Sequence, residues 1–356
     1  MVTATSFPNS RIVDSLVSVQ SETQQRGVMT DTETITATIT RQTHTRTSDG
    51  EGLTPLHLAA ISGNLTALSV LVTNTPDLLD ALDNAGHSAL HWAVVCGQAG
   101  CVRLLCERGA QAGLADTEGG TPLHYAAMAD NILVLETLLE AGSDPGLEDR
   151  AGRTACSWAA SSGGLSSFLC LVRRYPEALI RRDAQSLTPV HCAAARGHGE
   201  IIAASVGQGG DLEAEDSDGA TPLFYAAKHG HIECVKTLVR CGANINKADK
   251  FGRTPLMCGV VSGKVSIVIM LSEAGADMES ATRDGDTCLH LAVARRDHAI
   301  ASWIVSRSPR IMNRANKAEV SPLHLVCNIN EVKICKLLID SNCILNPIYT
   351  LHTKKK

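Results

Sequence analysis

Thr121-Pro122-Leu123-His124 is one copy of a four-residue motif that recurs along the chain. Close and degenerate copies together make nine, which begin at Thr54, Ser88, Thr121, Thr154, Thr188, Thr221, Thr254, Thr287 and Ser321. Successive copies are 33 or 34 residues apart. A fixed period of this length predicts a solenoid, because units this short cannot bury their own apolar faces and must stack on one another.

Turn residues precede the motif at fixed distances. Seven of the nine units have Asp five residues before it, and seven have Gly two residues before it. An Asp side chain accepts hydrogen bonds from its own turn and Gly readily adopts positive φ, so this spacing predicts a tight turn. Ser186 and Glu319 stand in place of Gly, which predicts irregular turns in the fifth and ninth units.

The motif itself predicts the start of a helix. The Thr or Ser caps the helix, and the Pro occupies the first turn, where its missing N–H costs nothing. Small residues such as Ala126 and Ala127 follow, and a second helix carries aliphatic pairs such as Leu138 and Leu139. In the fifth unit Gly207 stands where we expect an aliphatic residue of the second helix. Because Gly also has low helix propensity, the stack is expected to be weakest there.

These residues resemble the ankyrin-repeat family, whose signature Thr-Pro-Leu-His-x-Ala-Ala opens a helix–turn–helix unit. The resemblance covers residues 49–346 as nine repeats, and it implies an all-α solenoid with short β-hairpin fingers. Residues 122–127 and the unit that contains Trp158 are faintly similar to inversin-type arrays. Outside the repeats, we expect the Ser- and Thr-rich residues 1–48 to be disordered and residues 347–356 to form an irregular basic tail.

Composition narrows the classes of function. The formal net charge of −5 and the pI near 6.2 disfavour general nucleic-acid binding. No apolar run in the sequence reaches the length of a membrane span, and the first residues lack the apolar core of a signal peptide. These features predict a cytoplasmic location, with a nuclear or ciliary one as the alternatives.

Cysteine and histidine are abundant, but their spacing does not favour a metal site or a catalytic site. None of the thirteen cysteines forms a Cys-x-x-Cys pair, and many lie among apolar residues, where a reduced thiol acts as a small hydrophobic group. Six of the thirteen histidines occupy the fourth motif position. There the resemblance implies hydrogen bonds to backbone groups of neighbouring loops. We therefore expect no cofactor, no metal and no enzymatic activity.

The resemblance implies that partner proteins bind a concave groove formed by the finger tips and the exposed face of the first helices. In units one to three these positions have no Lys or Arg and several apolar residues. In units four to eight they carry eight bases against three acids, Asp218, Asp284 and Asp286. The candidate partner-binding residues are Arg150, Arg153, Arg196, Lys228, His229, Lys250, Phe251, Arg253, Arg283 and Arg295. Bases concentrated on one face of an acidic chain predict an acidic protein segment as ligand, with Phe251 as an apolar anchor.

We interpret the chain as a non-catalytic scaffold or adaptor for protein–protein interaction. The main alternative is the ankyrin portion of a larger signalling, ciliary or channel-linked protein, truncated here, since the ninth unit ends in apolar positions without an evident cap. We expect the chain to be a monomer or to have the apolar end of its ninth unit covered by a partner. A regulatory subunit of an enzyme and a binder of phosphoinositide or RNA are weaker alternatives, because aromatic residues for base stacking are scarce.

Overall fold

The computed structural model describes residues 52–341, so the segment 1–48 and the tail 347–356 lie outside the described residues. The described part consists of nine helical pairs, numbered here as repeats 1 to 9. The first, or inner, helices are α1 (Pro55–Ser62), α3 (Ala89–Val95), α5 (Pro122–Met128), α7 (Ala155–Ser162), α9 (Pro189–Arg196), α11 (Pro222–His229), α13 (Pro255–Val261), α15 (Cys288–Ala294) and α17 (Pro322–Ile329). The second, or outer, helices are α2 (Leu65–Asn74), α4 (Ala99–Glu107), α6 (Ile132–Glu140), α8 (Leu165–Arg174), α10 (Gly199–Gly207), α12 (Ile232–Arg240), α14 (Val265–Glu273), α16 (His298–Arg307) and α18 (Val332–Asp340). Short 3-10 helices follow α2, α8 and α16 at Pro76–Leu78, Pro176–Leu179 and Pro309–Asn313.

Each repeat packs on the next through equivalent helices. Inner helices contact the inner helices of neighbouring repeats, outer helices contact outer helices, and the two helices of one repeat contact each other. Their buried side chains form one continuous apolar seam from Leu56 in α1 to Leu338 in α18. This arrangement confirms the all-α repeat solenoid predicted from the sequence, and its core extends along the array instead of gathering at one centre.

The motif histidines join each helix start to the next finger. In repeat 1, Nδ1 of His57 accepts a hydrogen bond from the Thr54 N–H at 3.0 Å and lies 2.8 Å from the Thr54 hydroxyl. Its Nε2 donates to the carbonyl of His87 in the next finger at 3.0 Å. The same bond to the following finger is made by His91, His124, His191 and His290. The structural role predicted for these histidines is confirmed, and the carbonyl acceptor requires the Nε2–H tautomer.

The segments between repeats, called fingers here, are hydrogen-bonded turns rather than regular β-hairpins. Between residues 52 and 341 a single isolated antiparallel bridge occurs, which joins Ala281 to Thr287. Neighbouring fingers are connected by backbone hydrogen bonds, such as that from the Thr117 N–H to the carbonyl of Ala85 at 3.0 Å. A row of such bonds runs along the array and keeps the finger tips on one side of it.

Fingers 5 and 9 keep the regular turn although they lack its Gly. Ser186 has φ 63° and Glu319 has φ 59°, the left-handed conformation that Gly adopts in the other fingers. In finger 5 the Ser186 N–H donates to the carbonyl of Asp183 at 2.8 Å, as the Gly does elsewhere. The prediction of irregular turns was wrong, because bonds within and between fingers impose this conformation at a cost on the order of 1 kcal/mol for a non-glycine residue.

Repeat 5 departs from the others in its core, but at a different residue from the one predicted. The position that packs at the centre of each outer helix holds a buried Leu or Ile in eight repeats, such as Leu138 and Leu238. In repeat 5 it is Ser205, which is fully buried and donates its hydroxyl hydrogen to the carbonyl of Ile201 at 2.7 Å. Gly207 is exposed at the end of α10. The expectation that Gly207 replaces a core aliphatic was wrong, because the helix turns that position to the surface.

Candidate partner-binding groove

Finger aspartates fix the fingers to the inner helices and so shape the groove between them. In finger 4, Oδ1 of Asp149 accepts hydrogen bonds from two backbone N–H groups of its own turn, each at 2.9 Å. Its Oδ2 accepts a bond from the indole Nε1 of Trp158 on helix α7 at 2.8 Å. In repeat 6 the hydroxyl of Tyr225 on α11 donates to Asp216 at 2.7 Å in the same way. Trp92 and Tyr125 make the same bond to Asp83 and Asp116, so fingers 2, 3, 4 and 6 have defined positions over their own inner helices.

Fingers 2 and 3 share a buried ionic cluster. The imidazole of His87 lies 3.4 Å from Asp83 and 3.5 Å from Asp116, and the hydroxyl of Tyr125 donates to Asp116. Burial disfavours the charged ring, but hydrogen bonds with Asp116 and Asp83 outweigh it and raise the pKa of His87 to about 9. Burial of Asp116 is likewise outweighed by the bonds from His87 and Tyr125, which lower its pKa to about 2. His87 is therefore a structural cation at neutral pH.

Arg153 and Arg253, two of the predicted partner-binding residues, have ion-pair partners within their own fingers. Nε and a terminal nitrogen of Arg153 lie 2.8 and 2.7 Å from Oδ2 of Asp149, and 16% of the side chain is exposed. Arg253 makes the same contacts with Asp249 at 2.7 and 2.6 Å, but 41% of its side chain is exposed. Arg153 therefore mainly stabilises its finger, whereas Arg253 also presents an edge to the groove.

Aromatic rings enclose the guanidinium of Arg253 where helix α11 meets finger 7. Its Cζ lies 4.8 Å from the ring centroid of Phe251 on the finger and 5.4 Å from that of Phe224 on the helix. Phe224 is buried, whereas Phe251 is 50% exposed. A cation held against two ring faces is attracted by their quadrupoles. This contact fixes an exposed apolar ring beside a positive charge.

Helix α11 extends this arrangement with a second cation and a histidine. Nζ of Lys228 lies 5.6 Å from the ring centroid of Tyr225, and the imidazole of His229 stacks on the same ring at 6.4 Å. Partial burial and the nearby charges, including Lys228 and Arg196, lower the pKa of His229, so its ring is neutral at pH 7. The group called the basic-aromatic cluster below is Phe224, Tyr225, Lys228, His229, Phe251 and Arg253.

The other predicted residues are all exposed, and they are Arg150, Arg196, Lys250, Arg283 and Arg295. Nζ of Lys250 donates to a carbonyl of finger 6 at 2.6 Å, and Arg295 donates to a carbonyl of repeat 7. The backbone N–H of Arg283 donates to the carbonyl of Phe251 at 2.8 Å, which brings finger 8 against the cluster. The charge of Arg196 contributes to the lowered pKa of His229. Arg150 is on finger 4, three fingers away from finger 7.

Phe224 and Tyr225 complete the cluster, although the groove positions implied by the family do not include them. Phe224 stands where the motif has His, and it packs against Cys258 of repeat 7. Without that His, the buried hydroxyl of Thr221 has no hydrogen-bond partner. The replacement of His by Phe in Thr-Pro-Leu-Phe was visible in the sequence. It exchanges a structural hydrogen bond for aromatic surface, which is a departure of the kind expected near functional sites.

The described part of the chain has neither a metal centre nor a membrane-spanning helix. Residues 52–341 contain no group of three or more His, Cys, Asp or Glu side chains arranged to hold a metal ion. A helix that crosses a bilayer needs about 20 apolar residues. The longest helices between residues 52 and 341 have 10 residues, and none of them is long and apolar enough to span a membrane.

Comparison with protein families agrees with the repeats seen in the structure. The family model described as Ankyrin repeats (3 copies) matches residues 3–116, 169–249, 190–282 and 241–314. The model described as Ankyrin repeat matches residues 118–150. These matches cover more than half of the chain, and the first begins within the segment assigned to the N-terminal tail. Ankyrin repeats bind protein partners and are typically non-catalytic. The chain belongs to the ankyrin-repeat family.

Proposed function

We propose that the chain is a non-catalytic scaffold or adaptor that binds partner proteins in the groove between its fingers and inner helices. The observation that supports this most strongly is the basic-aromatic cluster. Phe251 is half exposed in the groove, although burying the exposed half of its side chain would stabilise the protein by about 1 kcal/mol. An exposed aromatic ring that is held in place by its neighbours can serve as a preformed anchor for a ligand.

The charges around this ring favour an acidic segment of a partner as the ligand. Lys228 and Arg253 belong to the cluster, and Arg283 adjoins it on finger 8. A carboxylate placed among these bases would form ion pairs at the edge of the groove, and an apolar side chain next to it would cover Phe251. The ion pairs would set orientation and association rate, while the buried ring would supply most of the affinity.

The local cost of the cluster supports the same conclusion. Repeat 6 lacks the motif His and leaves the hydroxyl of Thr221 buried without a partner. An unsatisfied buried hydroxyl costs about 1–3 kcal/mol. In exchange, Phe224 provides one of the two rings that position Arg253. A repeat that gives up a structural hydrogen bond where it gains an aromatic contact with Arg253 fits a binding role.

A synthetic peptide in which aspartates flank a single leucine tests the proposal. Its affinity for the full chain is measured by calorimetry at low and at physiological salt. Replacing both Lys228 and Arg283 by Gln should weaken binding about tenfold, since each exposed ion pair contributes up to about 1 kcal/mol. The difference between the variant and the native chain should shrink as salt is added.

A charge-matched control uses the outer helix α12, on the opposite side of repeat 6. The double variant Lys236→Gln and Arg240→Gln removes the same charge and should leave the peptide affinity unchanged. An equal loss in both double variants would mean that the peptide responds only to net charge. Phe251→Ala should weaken binding at every salt concentration, and an unaffected affinity would show that the cluster is not the binding site.

A further inference from the structure

Repeat 9 carries two cysteines that are in contact with each other. Cys327 lies on the inner helix α17 and Cys335 on the outer helix α18. Burial raises the pKa of Cys335 and the neighbouring thiol of Cys327 raises it further, so the two thiols lie close enough to act on each other. Both also line one surface groove of about 470 Å³, together with Val326, Val332 and Ile339. The shared groove, together with the interaction between the thiols, therefore places both cysteines side by side at an accessible surface.

Accessibility distinguishes this pair from another pair of neighbouring cysteines. Cys156 and Cys192 also lie close enough to influence each other, but both are buried in the seam between repeats 4 and 5. Burial raises the pKa of both thiols and keeps them protonated, so they are poor nucleophiles. Cys327 is exposed, so a small reagent in solution can reach it, whereas the half-buried Cys335 has a raised pKa but needs to attack only the neighbouring Sγ of Cys327.

We propose that Cys327 and Cys335 form a reversible dithiol–disulfide site that is oxidised by a small-molecule disulfide such as glutathione disulfide. The exposed thiolate of Cys327 attacks one sulfur of the reagent, the sulfur–sulfur bond breaks, and one glutathione thiolate leaves. The thiolate of Cys335 then attacks Sγ of Cys327 and expels the second glutathione. Two protein thiols and one glutathione disulfide give one protein disulfide and two glutathione thiols, and the two thiol protons pass to the leaving groups.

The disulfide would tie the two helices of repeat 9 together. These helices pack on each other and on repeat 8, and Val332 of α18 is 71% exposed. Closing the short loop between Cys327 and Cys335 should slow local opening of α17 and α18 by roughly tenfold to a hundredfold.

The test incubates the full chain with glutathione disulfide and glutathione in varied ratio, alkylates the remaining thiols and digests with trypsin. Cleavage after Lys317, Lys333 and Lys336 places the two cysteines on separate peptides, residues 318–333 and 334–336. We expect a disulfide-linked pair of these peptides, which dithiothreitol separates. Amide exchange in α17 and α18 should become slower by the factor given above. A Cys343→Ser background keeps the cysteine that follows these two in the sequence from taking part.

Single variants separate the two steps. Cys335→Ser should trap a glutathione adduct on Cys327, whereas Cys327→Ser should react no faster than the lone exposed cysteine Cys241. Neither variant should yield the linked peptides. The proposal fails if the native chain yields no linked peptides at any ratio, or if Cys327 becomes linked only to a second chain. It also fails if the linked form exchanges its α17 and α18 amides as fast as the reduced form.

Discussion

Gly207→Ala should stabilise repeat 5 and Gly209→Ala should destabilise it, although the two added methyl groups meet the same surroundings. A Cβ at either position has no other atom within 4 Å, and both glycines are exposed. The difference lies in the backbone. Gly207 is the last residue of helix α10, whereas Gly209 has φ 83°. The pair therefore separates helix propensity from backbone strain without a change in packing.

The expected magnitudes follow from these two conformations. Ala is favoured over Gly within a helix by about 0.5–1 kcal/mol, and the lower figure applies at a helix end. A left-handed Ala costs about 1–2 kcal/mol, of which about 0.5 kcal/mol is offset because Ala restricts the unfolded chain. Gly207→Ala should thus stabilise the repeat by about 0.5 kcal/mol, and Gly209→Ala should destabilise it by about 1 kcal/mol.

Native-state hydrogen exchange, read by mass spectrometry on α10 and α12, measures both effects locally. A repeat array need not unfold in one step, so a global unfolding curve would mix neighbouring repeats. Exchange should slow about twofold in Gly207→Ala and quicken about fivefold in Gly209→Ala. Gly242→Ala is the control, since Gly242 has φ 89° and open space in repeat 6, and it should behave like Gly209→Ala. Faster exchange in Gly207→Ala would refute the reasoning, because it would place Gly207 against the core.

Three further predictions concern the histidines and the fingers. Burial lowers the pKa of His91 and of His191 to about 4. The stability that depends on their neutral rings is therefore complete above pH 6.5 and is lost as the pH falls through 4. The loss is on the order of 3 kcal/mol per ring. Urea midpoints at pH 7 and pH 5 check this, and equal midpoints would contradict it. The raised pKa of His87 has the opposite effect. The stability that its charged ring contributes is complete below pH 6.5 and is lost as the pH rises through about 9. In urea titrations, His87→Gln should therefore reduce the loss of stability that the native chain shows at alkaline pH. Ser186→Gly should stabilise finger 5 by about 1 kcal/mol, because Gly adopts the left-handed conformation without strain. Amide exchange of residues 183–187 should then become slower. Unchanged exchange would mean that the turn carries no strain.

The repeat period was enough to predict the fold, because each repeat is built from local signals that occur nine times. Helix caps, turn glycines and motif histidines each act over a few residues or on the adjacent repeat. His57, for example, bonds to Thr54 within its own repeat and to the carbonyl of His87 in the next finger. Positions that recur in this way can be assigned from their spacing alone.

The groove could be predicted in outline but not in its chemistry, since that depends on contacts made by single repeats. Ten exposed or basic positions were expected to bind a partner, yet Arg153 is paired with Asp149 and largely enclosed. Conversely, Phe224 was not among the expected positions, although its ring lies against Arg253. Spacing identifies which positions face the groove, whereas pairing and stacking decide which of them are available to a ligand.

The most direct test of the account is an exchange footprint of the peptide with aspartates around a leucine on the full chain. At saturating peptide, we predict slower amide exchange in residues 222–229 and 249–253, where the basic-aromatic cluster lies. Exchange in the outer helices α12 and α14 should not change. Slower exchange confined to the outer helices, or no change at any position, would contradict the claim that this groove binds acidic protein segments.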